Sequence, residues 1–331
     1  MSKANELQKT EQPKAPVSAS ERFTSMVMRE FNDNVAGGLA VTDYQKTLVQ
    51  GYFIGIDRCL QIQEDNRLRK NKNNSDHKYD NELAYDWNNV NLKDLALDVV
   101  HYARMGLDMM QKNHISPIPY KNNKTQKYDI NLMPGYTGIE YVAKKYALDV
   151  PKAVTVELVY STDTFTPIKK SLKNPVENYV FEINNAFERG EIKGGFGYIE
   201  YEDCSKNELV IMSLNDILKR KPQYASVEFW GGTKKEKDGG EWKEVQYEGW
   251  FAEMCLKTIK REVYSAKHIP LDPAKIDADY QYMKMREARL AELEAEEEIK
   301  ANANTIIIND FKEGSEAVGE LPGDTPSDDL P

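Results

Sequence analysis

The sequence predicts an α+β fold, with an antiparallel sheet and a β-hairpin packed on helices. A helical N-terminal part precedes this core, and an acidic C-terminal helix and tail follow it. Three observations predict this. Residues 91–110 and 248–268 repeat apolar side chains at helical spacing. Between them, "AVTVELVY" and "GGFGYIEYED" alternate as strands do. Residues 272–331 hold 6 basic and 16 acidic residues, which equals the net charge of −10 for the chain. The expected organisation is a disordered leader over 1–20, a folded core over 21–271, and an acidic helix and flexible tail over 272–331.

The leader has no apolar core of a secretory signal. Residues 22–63 read as mostly helical, with a break at Gly37 and Gly38, and Thr42 or Asp43 could cap the second helix. Residues 66–82 are rich in Asn and Lys and read as a long exposed loop carrying Arg67, Arg69, Lys70 and Lys72. Leu92, Leu95, Ala96, Val99, Ala103, Gly106, Leu107 and Met110 mark one apolar face of the clearest helix, expected over 91–110. "HISPIPY" and "YDINLM" flank a polar turn, which signals a hairpin. "TGIEYVAKKYAL" follows as a helix and "NELVIMS" comes later as a strand. "SLNDILKRK" begins on a Ser cap and reads as a short helix before Pro222. Residues 231–249 read as a polar, Gly-rich loop. In residues 248–268, Ala252, Cys255, Leu256, Ile259, Val263 and Ala266 form an apolar stripe opposite Lys257, Lys260, Arg261, Tyr264 and Lys267. An acidic helix is expected over 274–301.

Several chemistries find no support. No apolar run reaches the roughly 18 residues of a membrane helix. There is no phosphate-binding G-x-x-x-x-G-K-[ST] loop, and the glycines of "GGFGYIE" lead into a strand rather than a helix. No G-x-S-x-G elbow occurs, and His101 and His114 lack ligand-spaced neighbours. Cys59, Cys204 and Cys255 form no CxxC pair and read as buried free thiols. No catalytic residue, metal or cofactor is assigned, and the chain does not read as an enzyme. Scattered Asp and Glu residues leave a metal-dependent nuclease as the alternative.

What the sequence does offer is cations interleaved with aromatics. Outside the acidic segment, 38 basic residues balance 38 acidic ones, so the acidic pI does not exclude a nucleic-acid partner. Lysines neutralise phosphates without reading sequence, and aromatic faces stack on any base. The candidates are Lys121, Lys124, Lys127 and Tyr128 on the hairpin, Tyr136 and Thr137 at the bend, and Lys144 and Lys145 on the next helix. Lys219, Arg220 and Lys221 follow, then Lys257, Lys260 and Arg261. Pro134, Gly135 and Gly138 allow a tight bend, and the helix after it points its positive end there. The hairpin lysines and the bend would form one wall of a groove. Lys219–Lys221 and the Lys257 face would form the other.

The order of "LKDLALDVVHYARMGLDM", "HISPIPY", the lysine-rich turn, "YDINLMPGYTGIEYVAKK" and "EMCLKTIKREV" resembles the RecT family of phage single-strand annealing proteins. The resemblance covers roughly residues 91–271. Its most specific parts are Ala103, Gly106 and Leu107, then Gly135, Tyr136 and Gly138, then Glu253, Met254, Lys257 and Thr258. It implies a core similar to that of the eukaryotic annealing protein Rad52, sequence-independent binding of single-stranded DNA, and annealing of complementary strands without ATP, with single-stranded DNA and the annealed duplex as partners. It also implies homo-oligomeric rings or helical filaments, a phage 5′→3′ exonuclease partner, and the cytoplasm of a bacterial host. Thr137 stands where the family often has a basic residue. One phosphate contact is then lost, or is supplied by Lys144 or Lys145. The acidic tail would keep the basic groove from aggregating or compete with DNA for it, or dock the exonuclease or the host single-strand-binding protein, or be a solvated extension without function.

Overall fold

The computed structural model describes residues 17–33, 41–75, 77, 80–221, 225, 227–238 and 241–290. It divides into two units, Met1–Met283 and Lys284–Pro331. The first holds the architecture below, a mixture of helices and antiparallel strands.

Helix α1 (Ala19–Asp33) starts where Ser18 and Glu21 bond each other. Its Phe23, Val27 and Phe31 recur every fourth residue and are buried. Helix α2 (Asp43–Asn73) opens on a capping box between Thr42 and Gln45. It runs well past the expected start of the 66–82 loop. Local polar pairs sustain it there in place of an apolar period. Arg67 donates to both Glu64 oxygens at 2.8 and 2.5 Å, and Arg69 to Asn66 at 2.6 Å. The Arg67 bonds hold the Glu64 carboxyl down at about 2. Reciprocal bonds between Asn71 and Asn81 fix the end.

Helix α3 (Leu92–Met105) stops at Gly106, whose φ of 88° closes the last turn. Strands β1 (Ile115–Asn122) and β2 (Lys127–Pro134) form the expected hairpin, with Ile115 opposite Pro134 and Asn122 opposite Lys127. Buried side chains of α1, α2, α3 and the hairpin make a first core.

Helix α4 (Tyr136–Tyr146) leads to a second core. Strand β3 (Ala153–Tyr160) pairs with β6 (Ile192–Glu200), and β6 with β7 (Glu208–Ser213), all antiparallel. Between them lie β4 (Thr164–Ile168) and β5 (Asn178–Glu182), a hairpin that the sequence pattern did not reveal. Short helices α5 (Leu214–Leu218) and α6 (Val227–Trp230) come next. The expected loop over 231–249 is instead a hairpin of β8 (Gly232–Asp238) and β9 (Glu241–Tyr247). Helix α7 (Phe251–Val263) then packs on the sheet. Gly195 and Gly197 of β6 make room for it: a side chain at either would strike Ile259 or Val263. The opposite face of β6, with Phe196 and Tyr198, stacks under Phe165, Tyr179 and Phe181 of the β4–β5 hairpin. Of the cysteines, Cys255 is buried and Cys59 half-buried, but Cys204 is exposed, on a short turn after β6.

The compact unit also extends beyond residue 271. Tyr146 donates to Asp277 at 3.0 Å, and Asp279 pairs with His101 at 2.7 Å and Arg104 at 3.2 Å. Tyr280 and Met283 are buried in the first core. Burial and the Asp277 bond push the Tyr146 hydroxyl well above its usual range. Asp277 accepts from the Tyr280 N–H, and residues 278–283 are helical. Residues 291–301 of the expected 274–301 helix, the tail, most of the leader, and Gly37 and Gly38 lie outside the described residues. Ending the chain after Leu271 removes two buried side chains and these polar ties. It should lower the thermal midpoint by on the order of 10 °C, whereas ending it after Leu290 should leave the midpoint in place. A melting curve for each chain checks this.

Candidate nucleic-acid interface

The bend is held from behind by backbone. The Gly135 N–H donates to the His114 carbonyl at 3.2 Å, and the Gly138 N–H to the Asn113 carbonyl at 3.3 Å. A side chain on Gly135 would run into the Asn113 carbonyl, and one on Gly138 into that of His114. The glycines thus serve a protein–protein backbone contact. Asn113, at φ 58°, donates from Nδ2 to the Tyr136 hydroxyl at 2.7 Å. His114 accepts the Asp108 N–H on Nδ1 at 2.8 Å, and burial lowers its pKa, so it is neutral with its proton on Nε2. The next helix-start N–H groups, those of Tyr136 and Thr137, meet no acceptor among the described residues. They are the positive end of α4.

Helix α7 stands beside this bend. The Lys260 ammonium lies 4.6 Å from the centroid of the Tyr136 ring. On the outer face, Lys257 and Arg261 sit four residues apart, exposed, with no carboxylate partner among the described residues. Surrounding protein and the Arg261 charge lower the Lys257 pKa. Two like charges held this way favour an anion across both. On the other flank Glu262 gathers Arg220 at 2.9 Å, Lys267 at 3.2 Å and His268 at 3.3 Å. Burial would raise its carboxyl, but these partners outweigh burial and hold it below its usual range.

The family model of the RecT family matches residues 71–295, more than half of the chain. The chain belongs to the RecT family. No curated protein and no solved structure matches it significantly. RecT proteins bind single-stranded DNA, oligomerise and anneal strands in recombination, and they are generally not enzymes.

Three of the five stretches that carried the RecT resemblance meet in the structure. Tyr141 and Lys145 of α4 both donate to the Met105 carbonyl at the end of α3, at 3.2 and 2.7 Å. Lys260 of α7 covers Tyr136. Lys145 therefore caps a helix, and burial lowers its pKa. Lys144 pairs with Glu140 at 2.7 Å. Thr137 is half-buried on the first turn of α4. Lys219 faces Asp216 at 3.8 Å, Arg220 is engaged by Glu262, and Lys221 lies 5.7 Å from the Trp230 centroid.

The hairpin lysines lie elsewhere. Lys121, Lys124 and Lys127 are exposed at its tip, where Asn122 Oδ1 accepts the N–H groups of Lys124 and Thr125. Seven strand steps separate Lys127 from Pro134, so the tip stands about 25 Å from the bend. Tyr128 is corrected from a base-stacking residue to a core one. It is buried, stacked on Tyr85 at 4.2 Å, and its hydroxyl donates to the Leu83 carbonyl and accepts from Asn81. Burial pushes that hydroxyl up to about 12. Asn113 and Glu262 organise the site and were not anticipated. A turn-prone Asn before His114 was the one available signal for Asn113. Glu262 had none, because its partners come from the turn after α5 and the chain beyond α7.

An unhindered helical glycine gains about 1 kcal/mol when changed to alanine. At Gly138 the sign should reverse. Gly138→Ala should cost about 1–3 kcal/mol in denaturant unfolding, because the new methyl group meets a fixed carbonyl.

Proposed function

We propose that this chain anneals complementary DNA strands without ATP in phage recombination, as a ring or filament in the cytoplasm of its bacterial host. It would work beside a 5′→3′ exonuclease and the host single-strand-binding protein. The observation that carries the DNA-binding face is the adjacency of the open start of α4 and the unpaired Lys257 and Arg261 of α7, bridged by Lys260 over Tyr136.

No covalent chemistry is needed. Cations and helix-start N–H groups hold phosphates, which leaves base edges free. A second strand pairs with those edges, and mismatches fail because pairing itself is the test. Charge screening and high local concentration raise the encounter rate. Subunits side by side hold one continuous strand. The exposed hairpin lysines extend the positive surface about 25 Å from the bend, which suits a strand longer than one helix face.

The purified protein should accelerate pairing of two complementary oligonucleotides without ATP and leave them intact. No acceleration over a non-complementary control, or Mg²⁺-dependent degradation, would remove the annealing reading. Changing Lys257 and Arg261 to Ala should weaken binding alike across sequences. The salt slope should fall by about 1 for each cation removed.

The lowered Lys257 pKa gives a second check. Only the protonated ammonium attracts phosphate, so its contribution is complete below that pKa and disappears as pH rises through it. Lys257→Arg, which stays charged, should keep its affinity at alkaline pH where the unaltered protein loses part of its own.

A further inference from the structure

The phosphate-binding face leaves two large exposed rings without a role. Trp250 is 62% exposed and Phe229 is 52% exposed. An indole held in water is uncommon on a folded surface unless something covers it. The two residues are tied together, since the Trp250 N–H donates to the Phe229 carbonyl at 2.8 Å. Behind them Trp230 packs edge-on to Phe251 at 6.3 Å. Gly231 and Gly249, at φ 69° and 66°, cross at the root of the β8–β9 hairpin, and a side chain on Gly249 would strike the Gly231 nitrogen. The rings therefore stand on a braced junction.

Their position relative to the cations gives the argument. Trp250 is the N-cap of α7. Lys257 lies seven residues on and Arg261 eleven, so the two cations share one stripe of the helix that Trp250 precedes as its cap residue. The step from Trp250 to Lys257 is about 10 Å along the axis. An apolar protein surface docking on the rings would have to cover two unpaired cations as well. A polyanion that carries its own flat rings satisfies both features.

We propose that Trp250, with Phe229 beside it, is a stacking platform for nucleobases at the N-terminal end of the α7 cation stripe. Single-stranded DNA held by its phosphates on Lys257 and Arg261 lays a base on the indole. Stacking accepts any base, so it adds affinity without sequence preference. Bases in a duplex are already stacked on each other, so the platform favours the single strand. Pairing with a second strand then competes with the platform for the same base. This inference rests on the phosphate-binding reading of α7.

The test measures binding of the full chain to labelled oligo-dT and to an abasic oligonucleotide of equal length. Trp250→Ala should weaken oligo-dT binding about tenfold, leave abasic binding unchanged and preserve the salt slope. Trp250→Phe should keep most of the affinity. Trp250→Leu, which retains apolar bulk, should lose it as the alanine does. Wild-type affinity for oligo-dT in the alanine variant overturns the proposal, and so does an equal loss on both ligands. An altered assembly state with unchanged affinity per subunit also overturns it, and assigns the rings to a neighbouring copy. If the unaltered protein binds neither ligand, or if the Lys257 and Arg261 double variant binds as well as wild type, the phosphate-binding reading itself fails.

Discussion

Two backbone carbonyls, those of Asn113 and His114, set the position of helix α4, and much of the rest depends on α4. They accept the Gly135 and Gly138 N–H groups at a separation no side chain would permit. The helix so placed is shared by both cores. Val142 and Tyr146 belong to the first, and Ala143 and Ala147 to the second. Its far end is tied to α3 through Lys145 and to the Asp277 turn through Tyr146. A backbone contact of two hydrogen bonds thereby fixes how a helical layer and a sheet layer meet. It also decides which helix-start N–H groups stay open.

Helix α7 is the second fixed point. Its Ile259 and Val263 enter the space that Gly195 and Gly197 leave on β6, and each contributes about 1.5–3 kcal/mol by burial. That packing determines the helix's rotation. With Cys255, Ile259 and Val263 turned inward, Lys257 and Arg261 must face outward, and Lys260 and Glu262 fall on opposite flanks. The bend takes one flank and α5 the other. The surface charge of α7 follows from the glycines of the strand beneath it.

Apolar periodicity made much of this legible. The α3, α4 and α7 helices, the β1–β2 hairpin and the β3, β6 and β7 strands all carry it. Where structure rests on other forces, the pattern was silent. The end of α2 is held by Arg67, Glu64 and paired asparagines, so an Asn- and Lys-rich run looked like a loop. The β8–β9 hairpin is almost wholly polar in sequence, and β4–β5 is interrupted by short polar breaks. Residues 272–283 looked like the start of an acidic tail. Their aspartates hydrogen-bond His101 and Tyr146 and pair with Arg104, an arrangement visible only in three dimensions. At the candidate site, residue type alone could not separate cations with partners from those without. Lys145, Arg220 and Lys260 are engaged, while Lys257 and Arg261 are open. Tyr128 failed as a surface residue because strand alternation alone did not say which face the core would take.

Annealing sets a constraint that a tight binder would violate. Phosphate contacts alone favour the duplex, whose charge density is twice that of a single strand. A surface made only of lysines would hold the product more strongly than the substrate. Contacts that reach unstacked bases oppose that bias, because pairing withdraws the base from them. A few unpaired cations on one rigid helix, next to exposed rings, offer the balance required. On the proposed reading, phosphate affinity would bring strands in, and the gain from ring contact would be surrendered as Watson–Crick pairing replaces it. On this view the small number of open cations on α7 is a functional property. Additional lysines there would strengthen binding and slow release of the annealed product.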